Sequence, residues 1–565
     1  ERDKKKRYLM GKIAKKYCRK IFITDDNPRN ENPKKIRNDI LKGSGRKALN
    51  IGNRKEAIKA GINELGSNEI LLVAGKGHEK IQDYGKFVIK FSDKKVIRNI
   101  INKKNNLYNK YKHKAFLIKK AFPNIKNNNI NFKEVSINSK NVKKRDIFFA
   151  IKGKNTDGHK FVKEAFKKGA IRSVVENKIN GSSKAKIIKV KNTLNSLNDL
   201  AKINRRNTSA EIIGITGSAG KTTLKNLLSF ALKYYGKVYS SPHSYNNKFG
   251  VPLSLSNLKN DSRYGVFEVG MDKKGEIKNL SKIIQPEIGV ITNIAGAHFK
   301  NFKTLKDIAK AKAEIIDNIS HQGTVVLNKD SNFFSFLCKK AKKCGINVTS
   351  FSLKQKADVS LKDVKKINNF YRIKVIVRKQ IYYFNTLNIT NSFISNILAC
   401  LSVLVDLNLD LAKLRKKFIK FSIPRGRGDI KIIKKFKKKF KFIDESYNAN
   451  PLSMRSSIEN VHLFKIKNKA KKLVFLGDML ELGKKSKKFH RELSRVINKS
   501  NIDKVFVYGK DIKLTFNFLS KNKKGKVFNK LSDAYNYFSK IINNNDLLMV
   551  KGSNATKLNQ FSKNI

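Results

Sequence analysis

The sequence is poor in cysteine and lacks long apolar runs, and both absences exclude classes of protein. The four cysteines among 565 residues form no C-x-x-C pair, so we expect no disulfide framework and a reducing, cytoplasmic compartment. No apolar stretch approaches the length that a membrane span needs, and the start of the chain shows no signal-peptide pattern. The chain opens with Glu1 rather than Met, which we interpret as a fragment of a longer product.

Acidic residues are also scarce, since 43 Asp and Glu stand against 124 Lys and Arg, for a formal net charge of +81. Proteins that bind nucleic acid usually concentrate such charge in a patch with aromatic stacking residues. Here lysine is spread over every segment, as in proteins from AT-rich genomes, and the densest run, Lys434–Lys441, predicts a solvated strand or hairpin. We expect the charge to attract anionic substrates such as nucleotides, and nucleic-acid binding remains an alternative.

What the sequence does contain is a phosphate loop. The apolar run 211–216 precedes a glycine-rich turn, and an apolar-periodic segment follows it, which predicts strand, loop and helix. Glycines let backbone N–H groups converge on phosphate oxygens, Lys221 adds a charge and a Thr hydroxyl can bind Mg²⁺. Ile215 replaces the first Gly of the usual pattern, yet the strand and helix favour an ATP-binding enzyme. The loop residues are Gly217, Ser218, Ala219, Gly220, Lys221, Thr222 and Thr223.

The length predicts several domains, each of the α/β class because apolar runs alternate with helical patterns. Around the phosphate loop this alternation predicts a doubly wound sheet. We predict a first unit over 1–103, a linker over 104–130, a small unit over 131–207, a phosphate-loop domain over 208–425 and a last domain over 426–565.

Apolar runs mark the expected strands of these domains. The first and last units end alike, in Leu71–Gly77 and Leu547–Ser553, which suggests two copies of one domain type. The predicted strands are Lys20–Thr24, Ile70–Ala74, Asp146–Ile151, Ile171–Val175, Gly265–Val269, Ile288–Thr292, Thr324–Asn328, Phe442–Asp444, Leu473–Leu476, Lys504–Tyr508 and Leu547–Val550.

Polar residues follow several of these strands, where open α/β sheets place ligands. Glu268 ends one strand and His298 follows the next, so a carboxylate and an imidazole are available for the Mg²⁺ that bridges ATP phosphates. A single His in such a loop is more often an ordinary hydrogen-bonded residue, and the periodicity around Lys312 favours an exposed lysine. Arg427 lies in a flexible Pro-Arg-Gly-Arg-Gly junction and can reach a phosphate. The loop Asp444–Pro451 carries acids, amides and a hydroxyl directly after a strand, although a capped turn would look similar.

Taken in order, these motifs resemble the MurF-type Mur ligases over residues 131–565. The resemblance implies a multidomain Mur ligase architecture with a UDP-binding domain, a central ATPase and a Rossmann-like C-terminal domain. The matching motifs are Asp146–Lys152, Thr156–His159, the phosphate loop, Tyr245–Pro252, Phe267–Met271, Thr292–Ile294, Ala297–His298, Ala311–Glu314, Gly426–Arg427, Glu445–Pro451, Gly477–Gly483 and Val550–Ser553.

The resemblance also implies a reaction in peptidoglycan precursor synthesis. ATP would phosphorylate the free carboxylate of UDP-MurNAc-tripeptide, and the amine of D-Ala-D-Ala would attack the acyl phosphate. We expect a monomer without nucleic acid as its main partner. The implied catalytic residues are Lys221, Glu268, His298, Lys312, Arg427 and Glu445, with Thr222, Glu268, His298 and a carbamylated Lys312 as metal ligands. The implied nucleotide-binding residues are those of the phosphate loop with Asn293, Asn396 and Arg427, and the substrate-binding residues are Asn246, Asn247, Tyr447, Asn448 and Asn450.

Some positions depart from the family pattern, but none removes a metal or phosphate ligand. The usual Asp-Ser-Arg reads Asn138-Ser139-Lys140, and Arg145 replaces a Gly. Ser392 replaces a His, Asn554 an Arg, and Glu445 an Asp that keeps the carboxylate.

Residues 1–103 resemble the C-terminal domain of the MurE-type ligases, which add the third amino acid of the peptide. Arg2-Asp3-Lys4, Asp26–Arg29 and Gly75–Glu79 carry the resemblance, and the Asn-Pro-Arg loop favours diaminopimelate over lysine. The simplest hypothesis is a fragment of a natural fusion between a MurE-type and a MurF-type ligase, with a gene-joining artefact as the alternative. No MurE activity is expected from a unit without an ATP site. The implied amino-acid-binding residues are Arg2, Asn27, Arg29, Gly75 and Glu79.

Three alternatives to the MurF-type function stay open. A relative of folylpolyglutamate synthetase is disfavoured by the loop Ser446–Pro451. A decayed copy is disfavoured by intact Lys221, Glu268, His298 and Lys312. The third is the basic nucleic-acid binder, for which DNA binding should fall steeply with salt.

Overall fold

The computed structural model divides the chain into two compact units, Glu1–Lys114 and Ala115–Ile565. Among the residues it describes, no helix combines the length and the apolar character that a membrane crossing requires. The described residues are 3–45, 48–66, 69–76, 79, 81–85, 87–94, 96–97, 100–101, 114–123, 130, 132–153, 155–181, 186–296 and 299–565.

The first unit alternates helices with strands, as its sequence predicted. Strands β1 (Ile21–Ile23) and β2 (Ala48–Asn50) are parallel, and β3 (Ile81–Asp83) and β4 (Val88–Lys90) form an antiparallel hairpin. Two helices begin at asparagine caps, because the side chains of Asn32 and Asn53 accept backbone N–H bonds from the first turn. The helices are Lys5–Tyr17, Pro33–Ser44 and Arg54–Glu64.

Two predictions in this part of the chain need correction. The apolar run Ile70–Ala74 is not a strand, and it exposes Ile70 at 94% and Leu72 at 81%; within the described part of the unit no strand pairs with it. The predicted linker 104–130 includes helical residues 114–121, whose Leu117 and Ile118 are fully buried in a core cluster of the second unit. Because these two apolar side chains fill a core, this part of the predicted linker belongs to a domain.

The second unit begins with a small parallel sheet. Its four strands follow chain order, β5 (Val135–Ser136), β6 (Ile147–Phe149), β7 (Arg172–Val175) and β8 (Ile187–Lys189). Helices Val162–Lys167 and Thr193–Arg206 accompany them, and the second packs on helix Gly250–Ser256 of the next sheet's layer.

The central sheet carries the phosphate loop on an interior strand. Its order is β10-β11-β9-β12-β13-β14-β15-β16-β17, parallel as far as β15 and antiparallel beyond it. Separate apolar clusters cover its two faces, which confirms the doubly wound prediction. The strands are β9 (Glu211–Thr216), β10 (Val238–Ser240), β11 (Tyr264–Glu268), β12 (Ile288–Ile291), β13 (Thr324–Asn328), β14 (Asn347–Ser352), β15 (Val359–Ile367), β16 (Phe370–Val377) and β17 (Gln380–Thr386). The helices are Lys221–Leu232, Gly250–Ser256, Glu276–Ile284, Leu305–Ala313, Phe334–Lys343 and Asn391–Asp406.

The last sheet has six strands in the order β18-β19-β23-β20-β21-β22. All pairs are parallel except the hairpin β18–β19, which contains the predicted lysine-rich hairpin and turns at Phe436 and Lys437 with positive φ. The strands are β18 (Asp429–Lys435), β19 (Lys438–Glu445), β20 (Lys472–Gly477), β21 (Lys504–Tyr508), β22 (Lys524–Phe528) and β23 (Leu547–Lys551). The helices are Pro451–Leu463, Ser486–Asn498, Ile512–Asn517, Leu531–Ile541 and Leu558–Asn564.

Candidate active site

The phosphate loop forms a tight turn between β9 and helix Lys221–Leu232. Gly217 has φ of 148°, and a Cβ there would lie 1.9 Å from the Thr292 hydroxyl oxygen, so only glycine fits. Gly220, with φ of 83°, is the residue before the helix. The Lys221 ammonium folds back and donates to the Gly217 carbonyl at 2.8 Å, which holds its charge over the loop.

The loop is tied to the end of the neighbouring strand β12. The Ser218 and Ala219 N–H groups donate to the backbone oxygen and the side-chain Oδ1 of Asn293, at 3.1 and 2.9 Å. The Ser218 hydroxyl donates to the Ala295 carbonyl at 2.9 Å. Asn293 therefore holds the loop in place. It can do so because it directly follows the neighbouring strand.

A buried carboxylate faces the start of the helix. Glu268, 1% exposed at the end of β11, accepts hydrogen bonds from the Thr222 hydroxyl and the Asn246 amide, both at 2.8 Å. Asn247 instead uses its Oδ1 to accept the N–H groups of Phe249 and Gly250 at the start of the next helix. Glu268 and Thr222 together present the oxygen donors that a hard divalent cation prefers.

Groups from two sheets meet at the hydroxyl of Ser244. Thr222 Oγ1 lies 3.4 Å from it, and Arg427 Nη2 and the Tyr447 hydroxyl donate to it at 3.3 and 3.2 Å. The Arg427 guanidinium stacks over the Tyr447 ring, 4.1 Å from its centroid. Sequence reasoning missed Ser244. The residues around this loop serine do not indicate that side chains from a distant domain contact it.

Lys225, which sequence reasoning also missed, holds the loop that carries Ser244. Its side chain is 2% exposed and donates to the carbonyls of Ser241, at 2.7 Å, and His243. Burial lowers the pKa of Lys225, and the two carbonyl partners compensate part of the cost of burying the ammonium. A lysine one helical turn after Lys221 was the only sequence signal.

Lys312 is buried rather than exposed, so the expectation from periodicity was wrong. It is 2% exposed, and no hydrogen bond or ion pair reaches its ammonium from the described residues. Burial, with a smaller contribution from the Lys221 charge, lowers its pKa well below the ordinary value. Burial also lowers the pKa of Lys221, whose charge Glu268 favours. Burial and the neighbouring Lys221 charge therefore both disfavour the protonated form of Lys312.

The last sheet supplies a second set of side chains to this region. Glu445, at the end of β19, accepts from Lys551 at 2.7 Å and from the Ser457 hydroxyl at 2.5 Å. Lys551 also donates to the Asn448 carbonyl at 3.3 Å. Because β19 and β23 are parallel neighbours, their ends place Glu445 beside Lys551.

Asn450 joins the last sheet directly to the phosphate loop. Its Nδ2 donates to the Ser218 carbonyl at 3.2 Å, while its Oδ1 accepts the Ser453 N–H at 2.9 Å and so caps helix Pro451–Leu463. A cavity of about 310 Å³ opens beside this contact. It is lined by loop residues and by Asn293, Asn396, Arg427, Glu445 and Asn448.

A second contact joins the same two sheets farther along. The rings of Phe299 and Phe489 stack with centroids 5.4 Å apart, and the Lys485 ammonium lies 4.3 Å from the Phe299 centroid. Lys485 also donates to the Lys303 carbonyl at 2.7 Å. The central and the last domain are thus joined at two separate places.

One predicted metal ligand, His298, lies outside the described residues. Among the residues that are described, no cluster of three or more His, Cys, Asp or Glu side chains could hold a metal ion. A metal at Glu268 and Thr222 would therefore need oxygen ligands from phosphate or water as well.

The residues predicted in the first unit partly converge. Asn27 Nδ2 donates to Glu79 at 2.6 Å, and Lys76 donates to Asn27 Oδ1 at 2.9 Å. Arg29 Nε lies 4.0 Å from the Asp83 carboxylate. Gly75 has φ of 112° and approaches Asp26, and Arg2 lies outside the described residues.

Comparison with known proteins matches three family models along the chain. The Mur ligase family catalytic domain matches 131–205, the Mur ligase middle domain 215–404, and the Mur ligase glutamate ligase domain both 1–77 and 430–554. The glutamate ligase domain thus matches the chain twice, in agreement with the prediction that the first and last units are two copies of one domain type.

Several relatives and solved structures are similar over most of their length. A UDP-N-acetylmuramoyl-tripeptide–D-alanyl-D-alanine ligase of Rickettsia prowazekii is 31% identical over 77% of this chain and 95% of its own, and one of Buchnera aphidicola is 32% identical over 76% and 91%. MurF from Acinetobacter baumannii has the same fold, with a TM-score of 0.70 at 24% identity over 80% of this chain and 98% of its own. MurF from Thermotoga maritima, solved with ADP, has a TM-score of 0.65 at 28% identity over 76% and 96%.

Proposed function

The chain belongs to the Mur ligase family, and from that membership we propose that it joins D-alanyl-D-alanine to UDP-MurNAc-tripeptide in peptidoglycan precursor synthesis. It is an ATP-dependent ligase of the MurF type. The observation that carries this function is the convergence of Lys221, Thr222 and Glu268 with Arg427 and Asn450 of the following domain. We place the reaction in the cytoplasm and assign it to a monomer.

The phosphate loop would bind the ATP phosphates through its N–H groups and the Lys221 ammonium. Asn293 holds the loop in shape, and Asn396 and Arg427 line the adjoining cavity, so we assign them to the nucleotide. Arg427 remains charged although burial lowers its pKa, and a cation there favours the charge that develops on the transferred phosphoryl group.

Mg²⁺ fits the residues that face the loop. The Thr222 hydroxyl and the Glu268 carboxylate are 2.8 Å apart and are the oxygen donors that Mg²⁺ prefers. We propose that these two, with His298, hold it. When bound, the cation neutralises phosphate charge.

Lys312 is proposed to be carbamylated. The neutral form of the amine attacks carbon dioxide, a C–N bond forms and one proton leaves, so the amine becomes a buried carbamate anion. Its burial without a described partner and its lowered pKa support this assignment. The product places an anion beside Lys221.

The proposed reaction has two steps that this site can position. A carboxylate oxygen of the tripeptide attacks the γ-phosphorus and ADP leaves, which gives an acyl phosphate. The dipeptide amine then attacks the carbonyl carbon, and phosphate and a proton leave. The chain supplies orientation and charge rather than a covalent nucleophile, and closure by Asn450 and Tyr447 would exclude water from the acyl phosphate. We assign substrate binding to Asn246, Asn247 and Asn448. Glu445 is assigned to stabilising the closed state.

For the first unit we propose an amino-acid site of the MurE type around Asn27, Arg29, Gly75 and Glu79, with Arg2. The ion pairs of Lys76 and the positive φ of Gly75 support a built loop there. An arginine in that loop suits a substrate carboxylate, as in diaminopimelate.

The function is tested by phosphate release from ATP with UDP-MurNAc-tripeptide, with and without D-Ala-D-Ala. Release should require both substrates and should fall at least about a hundredfold in Lys221→Ala. Lys233→Ala, at an exposed position just after the same helix, is the matched control and should match wild type. If a folded protein that binds nucleotide released phosphate at the same rate with and without the dipeptide, the proposal would be excluded.

A further inference from the structure

A loop of the last domain docks on the backbone of the central domain. It is the loop 478–483, which directly follows β20. The Lys300 N–H donates to the Glu481 carbonyl at 3.0 Å, and a Cβ at Gly483 would lie only 3.1 Å from the Lys300 Cα. Lys300 stands two residues after the proposed metal ligand His298. The loop therefore fixes, from another domain, the backbone that follows this residue in the chain.

The loop is a defined turn that its own domain holds in shape. Glu481 and Gly483 both have positive φ, of 63° and 55°, so the chain reverses there instead of continuing β20. At the start of the loop the Asp478 carboxylate accepts the N–H groups of Lys510 and Ile512, at 3.0 and 2.8 Å. These bonds fix the first residue of the loop, and the N–H of the next residue has a partner of its own.

That partner is the imidazole of His490, which is fully buried on helix Ser486–Asn498. Its Nε2 accepts the Met479 N–H at 3.0 Å. Its Nδ1 lies 2.9 Å from the Ser486 carbonyl oxygen and donates to it. An N–H donor at one ring nitrogen and a carbonyl at the other fit only the neutral ring with its proton on Nδ1, because a protonated Nε2 would have no electron pair for Met479.

The charges around His490 do not offset the cost of protonating its ring. The carboxylates of Asp478 and Asp511 act on it from the loop and from the residue before the next helix, and both favour the cation. Each carboxylate is already engaged, Asp478 by the two N–H groups and Asp511 by the Ser486 hydroxyl. The exposed cations next to it on its own helix are Lys487, Lys488 and Arg491. Burial outweighs the carboxylates and lowers the pKa of His490 below its ordinary value of 6.5.

We propose that His490 is a positioning residue of the ligase, which holds the loop 478–483 against the central domain only while its ring is neutral. Protonation sets a second N–H against the Met479 N–H, so the loop must move and its contact to Lys300 is lost. Because the pKa of His490 is lower in the folded protein, the docked loop is favoured above pH 6.5 and is lost as the pH falls through that lowered pKa. The inference rests on the proposed function, since docking serves catalysis through closure of the two domains.

Two substitutions separate the hydrogen-bond acceptor from the titration. His490→Gln keeps an oxygen for the Met479 N–H and does not titrate, whereas His490→Leu fills a similar volume without an acceptor. At pH 8 the kcat for phosphate release should fall about tenfold in His490→Leu, with the KM for ATP within about twofold of wild type because the phosphate loop is untouched. His490→Gln should keep most of the wild-type kcat. His321→Gln, at an exposed position, is the matched control.

The pH profile gives a result that a merely structural role would not. Between pH 8 and pH 5 the kcat of wild type should fall at least about twofold relative to that of His490→Gln, and His321→Gln should follow wild type. A constant ratio, a fully active His490→Leu protein, or a His490→Gln protein as impaired as His490→Leu would each overturn the proposal. If His490→Leu unfolds as a whole, the ratio of wild type to His490→Gln still decides.

Hydrogen exchange of the ligand-free protein tests the docking apart from the reaction. At pH 7 the amides of Met479 and Lys300 should exchange at least about tenfold faster in His490→Leu than in wild type or His490→Gln, while the strand β20 keeps its protection. Unchanged exchange at both amides in a folded His490→Leu protein would contradict the proposal. If no protein released phosphate with the dipeptide but this exchange result held, the ligase assignment would fail and the docking role of His490 would stand.

Discussion

At the scale of single residues, Lys312 gives the sharpest prediction. Lys312→Ala should reduce phosphate release roughly 10- to 100-fold, because the proposed carbamate would be lost from beside Lys221. Added formate should restore part of the activity by placing a small carboxylate in the space that the side chain leaves. Steady-state rates with and without formate measure both effects.

Lys312→Arg is the control for the carbamate, since a guanidinium places a cation there and forms no carbamate. It should be inactive with or without formate. Full activity of either variant would contradict the carbamate.

A second residue, Asp406, should make stability depend on pH. Burial raises its pKa to about 6, against hydrogen bonding from Thr349 and the charge of Arg378. Because the folded pKa lies above the unfolded one, this group favours folding when protonated, and that contribution is lost as pH rises from about 4 through 6. A shift from 3.8 to about 6 corresponds to about 3 kcal/mol at most.

Asp406→Asn should remove this dependence. Denaturant unfolding at pH 4 and pH 7.5 should show the variant gaining stability relative to wild type at the higher pH. Asp363→Asn, at an exposed strand position, is the control. It should change the free energy of unfolding by the same amount at pH 4 and at pH 7.5. An Asp406→Asn protein whose difference from wild type is the same at both pH values would refute the assignment.

The sequence predicted some site residues and not others for a physical reason. Lys221 and Thr222 could be found because the phosphate loop encodes its own backbone conformation within a few residues. The burial of Lys312 could not, because a helical period does not reveal what packs on the helix. Ser244 and Lys225 act through loops brought together by distant segments, so no local pattern marks them.

At the scale of elements, Asn450 combines two roles that one substitution separates. Serine is also a good N-cap, so Asn450→Ser should keep helix Pro451–Leu463 but lose the donor to the Ser218 carbonyl. We expect kcat/KM for ATP to fall roughly tenfold, the value of one buried interdomain hydrogen bond, while the unfolding temperature changes little.

Asn450→Ala loses both the cap and the interdomain bond. Its melting temperature should fall below that of Asn450→Ser, by an amount that reflects about 1 kcal/mol of capping. Equal melting temperatures and equal kinetics for the two variants would show that the contact to the phosphate loop contributes nothing.

Among the elements, many buried parallel strands were predicted, whereas other parallel strands such as β10, β14 and β22 and the antiparallel end of the central sheet were not. Strands such as β13 and β21 are buried runs that stand out from their neighbours. In β15–β17 buried and exposed residues alternate with many lysines, which weakens the apolar signal. The run Ile70–Ala74 shows the converse, since it is apolar but pairs with no strand among the described residues of the first unit.

At the scale of the whole molecule, all ATP turnover should depend on the second unit. The described part of the first unit contains no phosphate loop, so UDP-MurNAc-dipeptide and diaminopimelate should release no phosphate from the full-length protein. The measurement is phosphate release with those substrates in wild type and Lys221→Ala. Diaminopimelate-dependent release that survives Lys221→Ala would contradict this division of labour.

The two contacts between the central and the last domain have a consequence for how fast the enzyme can cycle. Asn450 borders the cavity beside the phosphate loop, and the stacked rings of Phe299 and Phe489 form a separate contact, so we expect that product release requires the two domains to part and both contacts to break. Such separation moves a whole domain through solvent and therefore works against friction. Turnover at saturating substrate should slow in proportion to the viscosity of a solution with added glycerol. The turnover of the Asn450→Ser protein should depend less on viscosity.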